Sequence, residues 1–343
     1  MPDRIGGFLP LELPKGVVER QPTLSHLEGA IGYHSGRSAM IELVRASGAS
    51  EVILPAWTCP VVWETLAEAG IPVIRYRVLK TLQPDWIQIL SHACRNAVVI
   101  LNSYFGVFGP AREMIAELRR ATGTRVLLDL AQSLYETCPD TCAAFYSPRK
   151  FVGIPDGGLL VVGGESGFET PPPPSETVDQ DFFARRLSCL GLRGEYASRE
   201  AWDLYRDTEA EMQAGPVAMS TLSGRLLRSL DHGLMAARRK ANCEALCRTF
   251  GIASECFGRS IPLCFPLLLD HPVEGLREKL VEVGILVPHY WPGVPPEADL
   301  GVGILALPLD QRYLPADMEE MGRRVSALLD ESGVSVAVER YGG

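Results

Sequence analysis

An α/β fold built on a mostly parallel sheet flanked by helices, followed by a small α+β C-terminal domain, is the architecture predicted for this chain of 343 residues. Three observations carry it. Between residues 51 and 162, short apolar runs alternate with helical segments, the pattern of successive βα units. One run, Val126-Leu127-Leu128-Asp129, ends in a carboxylate, as a buried parallel strand delivering an acid to its carboxyl end would. The length also exceeds what a single core usually fills, so a second domain is expected.

Residues 1–30 are rich in Pro, Gly and Leu without periodicity and are expected to form an extended arm over the body or over a partner subunit. A large domain is expected over 31–235 and a small one over 236–343. Ser35-Gly36-Arg37-Ser38 opens a helical pattern reaching about Ser47, and such an entry presents backbone N–H groups where a phosphate can sit, or is simply an N-cap. Strands are predicted at 51–55, 71–76 and 96–102, with helices at 58–70 and 110–122, the latter with Pro110 in its first turn. Asn102-Ser103-Tyr104-Phe105-Gly106 forms the turn at the carboxyl end of the third strand. After Val162, a run of four prolines at 171–174 must be an irregular loop. One polar helical stretch is read over 181–212, with helices starting at Met219 and over 234–249. Strands near 261–269 and 302–307 and helices near 273–283 and 316–330 complete the small domain.

The totals exclude several classes. A net charge of −9 argues against non-specific binding of nucleic acid or of an anionic membrane surface. No apolar run approaches a membrane span, and the first residues lack the basic-then-apolar pattern of a signal peptide, so a cytoplasmic protein is expected. Nine scattered cysteines, an odd number, fit reduced thiols, and neither Cys138/Cys142 nor Cys243/Cys247 has a second pair at zinc-ligand spacing, so no metal site is expected.

The chemistry concentrates between Arg125 and Val162. Lys150 stands 21 positions after Asp129, between an apolar segment and the turn Ile154-Pro155-Asp156-Gly157-Gly158. A lysine among apolar and aromatic neighbours can act as the amine nucleophile that Schiff-base chemistry needs. Alone, Asp129 reads equally well as a turn cap. Asp129-Leu130-Ala131-Gln132, followed by Lys150 and the Gly157-Gly158 strand entry, resembles the site of the DegT/DnrJ/StrS family of sugar aminotransferases, fold-type I enzymes that use pyridoxal 5'-phosphate (PLP). The resemblance spans about residues 30–330 and is densest over 51–162.

The resemblance implies a role for each matching residue. Asp129 would keep the cofactor's pyridine nitrogen protonated, Gln132 would hydrogen-bond its phenolic oxygen, and Lys150 would bind it and shuttle the proton. Gly36, Arg37 and Ser38 fall at the phosphate-binding helix entry, with Arg37 in place of the family's threonine. The family's ring-stacking aromatic falls on Cys59. Trp57, two residues earlier, either supplies that face or packs in the core. The family's serine five residues before the lysine is Phe145 here, leaving Ser147 as the nearby hydroxyl, and the family's asparagine before Met219 is absent. Tyr104, His289 and Trp291 fall where substrate-facing residues are expected, and an aromatic-proline turn at 290–292 reads equally well as packing.

The expected function is transfer of an amino group from an amino acid such as glutamate to a keto-sugar, nucleotide-linked, or a similar carbonyl acceptor, by a homodimer working in polysaccharide or antibiotic-sugar biosynthesis. Two other readings stand beside it: a non-catalytic binding or regulatory protein that keeps the fold, and another PLP reaction type.

Overall fold

In a computed structural model, the structure describes residues 5–6, 24–195 and 199–341. Most of the expected arm, residues 1–4 and 7–23, lies outside the described residues. Ile5–Gly6 (β1) pairs in parallel with Ile285–Leu286, and Ser25–Leu27 forms one 3₁₀ turn.

The main sheet is built from Ile31–Tyr33 (β2), Glu51–Pro55 (β3), Val73–Tyr76 (β4), Ala97–Asn102 (β5), Arg125–Leu130 (β6), Ala143–Tyr146 (β7) and Gly158–Val162 (β8). These seven strands lie in the order β2-β8-β7-β6-β5-β3-β4. Only β8 runs against its neighbours β2 and β7, and every other pairing is parallel. The chain steps outward from β3 to β4, then returns to the other side of β3 with β5. That reversal is a topological switch point, where open α/β sheets hold their ligands beyond the strand ends.

Both faces of the sheet are covered, which is why its strands read as continuous apolar runs. Val52, Leu54, Val98, Ile100, Leu127 and Phe145 pack on one side with Met40, Ile41 and Leu66 of the helices Gly36–Ser47 (α1) and Pro60–Glu68 (α2). Ile53, Val99, Leu101, Val126, Leu128 and Tyr146 face a second core on the other side. The short helix Trp86–His92 (α3), capped by Asp85, went unread in the sequence because only Ile89 of it is buried. Arg112–Thr122 (α4) starts two residues after Pro110, with Ala111 as its cap, so the proline precedes the helix instead of opening it.

The polar stretch expected as one helix is two, Gln180–Glu195 (α5) and Arg199–Glu211 (α6), packed side by side. Thr221–Ser229 (α7) follows, with Ser220 as its N-cap. His232–Phe250 (α8) runs through the expected domain boundary at 235/236 as one continuous helix. Beyond it, Phe265–Leu268 (β9) pairs antiparallel with a later strand, Ile304–Leu307. Leu276–Glu282 (α9) and Ile285–Leu286 (β10) come between them, and after Ile304–Leu307 (β11) comes Pro315–Glu331 (α10), which packs on α8 and is followed by a 3₁₀ turn at Val338–Tyr341. No described helix is long and apolar enough to cross a membrane.

Candidate active site

Asp129 sits one residue from the end of β6, in register with Asn102 of β5 and Phe145 of β7. It is 8% exposed, and its Oδ1 accepts the Ala131 N–H at 3.0 Å, which holds the carboxylate in one orientation. Burial raises its pKa above the usual carboxylate value, and the charge of Lys150 pulls it partly back. The acid and the lysine, far apart in the chain, are therefore brought within electrostatic reach. They meet because β6 and β7 are adjacent and Lys150 lies in the 3₁₀ turn Pro148–Lys150 that follows β7.

The backbone around Lys150 is held from two directions. Its own N–H donates to Ser147 O at 3.0 Å. On the far side, Arg239 of α8, fully buried, donates to Phe151 O, Pro262 O and Leu263 O, and Gln311 Nε2 donates to Phe151 O at 3.0 Å. The second half of the chain thus fixes the residue after the lysine.

Gln132 is buried, and its Oε1 accepts the Phe105 N–H at 2.7 Å. Its Nε2, also buried, has no partner among the described residues. An amide donor held in one orientation and left unsatisfied at the carboxyl end of the sheet is a site waiting for an acceptor.

The other expected residues separate into two groups. The first turn of α1 lies on the segment before Lys150. A Cβ at Gly36 would stand 3.5 Å from Tyr146 O and the Phe145 ring and 3.7 Å from Ser147 Cβ, so Gly36, Arg37, Ser38 and Ser147 come together. Gly158 makes this possible, because a Cβ there would stand 2.1 Å from Ser35 C and O. The Ser38 hydroxyl is committed internally: it accepts the Gly215 N–H at 3.1 Å and bonds with Ser35 and His34. Arg37 donates to Met212 O at 2.6 Å.

The second group is aromatic. Trp57 is fully buried, with its ring centroid 4.9 Å from Tyr104 and 4.9 Å from Trp291, and Tyr104 Oη donates to Trp57 O at 2.8 Å. Trp57 is thus wedged between Tyr104 and Trp291. The residue of that turn within charge reach of Lys150 and Asp129 is Cys59, whose thiol is pushed up by burial and drawn down by Lys150. His289 turns to Asp299, with Nε2 3.1 Å from Oδ2, and its neighbour Tyr290 packs edge-on to Phe105 at 5.4 Å.

Three residues at the site escaped the sequence reading. Arg149 forms a forked ion pair with Glu209 of α6, with Nη2 3.0 Å from Oε2. Arg186 of α5 reaches the same carboxylate at 3.2 Å. Burial opposes the ionisation of Glu209, yet Arg149 and Arg186 hold it down to about 2. Only the neighbour relation of Arg149 to Lys150 could have singled it out. The pairing with Glu209 spans 60 positions and leaves no local pattern.

No family model matches this sequence, and no curated protein does. Solved structures match its shape over nearly the whole chain. PseC of Helicobacter pylori, an aminotransferase of pseudoaminic acid biosynthesis, superposes with a TM-score of 0.67 at 12% identity, covering 96% of this chain and 100% of its own. Spr1654 of Streptococcus pneumoniae, described as a sugar aminotransferase and solved in its PLP form, gives 0.66 at 13% identity, covering 96% and 99%. TlmJ of Streptoalloteichus hindustanus, an aminotransferase, gives 0.63 at 18% identity, covering 96% and 99%. The seven-stranded, mostly parallel sheet and the helices around it are therefore the fold shared by these aminotransferases, the fold-type I architecture that the sequence resemblance led us to expect.

Proposed function

We propose that this protein is a PLP-dependent aminotransferase of the DegT/DnrJ/StrS type, taking an amino group from an amino acid and giving it to a carbonyl acceptor, with a nucleotide-linked keto-sugar as the acceptor class. One observation carries the reading. A buried carboxylate, a lysine within its electrostatic reach and a buried, unsatisfied amide donor converge at the carboxyl end of the sheet. Asp129 and Gln132 suit a ring with a cationic nitrogen and an anionic oxygen. A buried carboxylate that is costly to ionise alone is relieved by a cationic partner, and Gln132 Nε2 supplies the missing hydrogen bond to an oxygen.

Bound there, PLP supplies an electron sink for a carbanion at the amino donor's α-carbon. The chain's own residues do the rest. Lys150 Nζ would take the proton from the donor's α-carbon and deliver it to the cofactor carbon that carries the amino group, acting from a backbone fixed by Ser147, Arg239 and Gln311. Asp129 holds the proton on the ring nitrogen. Arg37, with the backbone of Gly36 and Ser38 and the hydroxyl of Ser147, is assigned to the phosphate end. Trp57 stays a candidate for the ring face through the aromatic group it forms with Tyr104 and Trp291. Tyr104, His289 and Trp291 are assigned to the acceptor side. A homodimer in the cytoplasm, divided into domains at 31–235 and 236–343 and serving sugar or polysaccharide biosynthesis, belongs to the same proposal.

The test is spectroscopic. PLP added to the purified protein is expected to give a visible absorption band that bleaches when glutamate is added and returns with a keto acid. A band that forms but never responds to any amino donor would favour the binding-protein reading instead.

A further inference from the structure

Asn102 is the last residue of β5 and stands in register with Asp129 of β6. Two positions earlier, Ile100 and Leu127 are register partners too, and both lie in the core on the α1–α2 side of the sheet. Side chains alternate along a strand, so those of Asn102 and Asp129 leave the same face of the sheet on neighbouring strands. Both residues are buried. The Asn102 amide is clamped at one end, where Nδ2 donates to Thr58 Oγ1 at 2.9 Å. Its other end, Oδ1, is buried and has no partner among the described residues. A buried acceptor left in this state is costly until a donor answers it.

Thr58 follows β3, which borders β5 on the side away from β6. With Nδ2 turned to Thr58, the planar amide directs Oδ1 to the opposite side, where Asp129 stands. The one hydrogen bond on the Asp129 side chain among the described residues is the Ala131 N–H on Oδ1, so Oδ2 is left over. An amide oxygen can serve a carboxyl group only when that group carries a proton. Burial favours the protonated form of Asp129. The other groups whose charges reach Asp129 are Lys150 in the turn after β7, Cys59 before α2, Tyr76 of β4 and Tyr104 after β5. A lysine ammonium offers no acceptor, and the hydroxyls of Tyr76 and Tyr104 are turned to Ile100 O and Trp57 O. Asn102 Oδ1 is thus the acceptor on the adjacent strand that still lacks a donor.

We infer that Asn102 is the positioning residue of Asp129: its Oδ1 accepts the Asp129 carboxyl proton in the cofactor-free protein, and Thr58 fixes the amide in the orientation this requires. The Thr58 hydroxyl could bond either end of the amide, so it is the buried acid that selects the oxygen to face it. The inference deepens the aminotransferase reading and rests on it only for the use of the proton. Asp129 is kept supplied with the proton that a pyridine nitrogen needs to stay cationic. Moving it there breaks the Asp129 O–H bond and forms one N–H bond, with nothing taken from solvent.

The test is infrared difference spectroscopy of the cofactor-free full chain, titrated over the pH range in which circular dichroism shows it folded. Wild type is expected to show a protonated-carboxyl band, absent from Asp129→Asn, at the frequency of an acid that donates a hydrogen bond. In Asn102→Leu the band is expected to move to higher frequency, as that bond is lost, while Thr58→Ser, which keeps the hydroxyl, retains the wild-type band. Should Asn102→Leu fail to fold, Thr58→Val carries the test. It frees the amide to turn Nδ2 toward the carboxylate, and the titration midpoint of the band is expected to fall by about one pH unit. If the folded variants keep the wild-type band and midpoint, or if no wild-type band disappears in Asp129→Asn, the inference is refuted, even where PLP attaches to Lys150. The expected band shifts, in a protein on which PLP does not attach to Lys150, uphold the Asn102–Asp129 pair and remove the aminotransferase reading.

Discussion

Asp129 is the residue whose environment makes the sharpest prediction. Its pKa in the folded protein is shifted upward, chiefly by burial. A group raised in this way supports the folded state fully below its unfolded value and loses that support as pH rises through the folded value. Cofactor-free protein should therefore lose stability with rising pH in the acidic range. Asp129→Asn, which keeps an oxygen for the Ala131 N–H, should be more stable than wild type at neutral pH, by on the order of 1–2 °C in Tm. The same variant should lose amino-transfer activity by at least about 100-fold, so a melting curve and a half-reaction rate together check the assignment. Glu209 has the opposite sign. Held at about 2 against an ordinary 4.5, it stabilises the protein above 4.5 and loses that contribution as pH falls through 2, so acid unfolding should be blunted in the Glu209→Gln variant. At this scale the sequence was legible where the chemistry is local. Asp129, Gln132 and Lys150 stand in or beside short patterns. Arg149 and Glu209 are joined only by the packing of α6 against the Lys150 turn, which no spacing reveals.

Among the elements, α1 and β8 meet so closely that Gly158 is forced. A methyl there would overlap the Ser35 carbonyl, and the helix entry would have to move off the sheet. Gly158→Ala should cost about 3 kcal/mol or more and should weaken PLP binding, read by chemical denaturation and by cofactor titration. Arg239 of α8 makes the complementary case. It serves three backbone carbonyls from a fully buried position, one of them on the residue after Lys150. Arg239→Met should destabilise by about 3 kcal/mol, because those carbonyls lose charged donors and cannot reach water. The elements themselves were mostly readable because β3, β5 and β6 are buried on both faces and present unbroken apolar runs. The amphipathic α5 and α6 were read as one helix because polar, Arg- and Glu-rich sequence continues on both sides, although Gly191 and Gly194 in the last turns of α5 are a break signal. The short strand β2, at the very start of the expected large domain, was not read as a strand because its three residues carry too little pattern.

At the scale of the whole molecule, the order β2-β8-β7-β6-β5-β3-β4 with one reversed strand places the switch point between β3 and β5, and the site residues gather beyond it. The expectation of a parallel progression captured the strands but not the reversal of β8, which depends on the pairing of Gly158–Val162 between two strands distant in sequence. A homodimer is the assembly we expect, and sedimentation of the PLP-loaded protein at micromolar concentration should give a single species of twice the chain mass. The central claim is that Lys150 is the amine that holds the cofactor. The most direct measurement is to add PLP, reduce with borohydride, digest, and locate the modified peptide by mass. The account predicts one adduct, on the peptide carrying Lys150, and none in Lys150→Ala. An adduct on another lysine, or none at all, would contradict it.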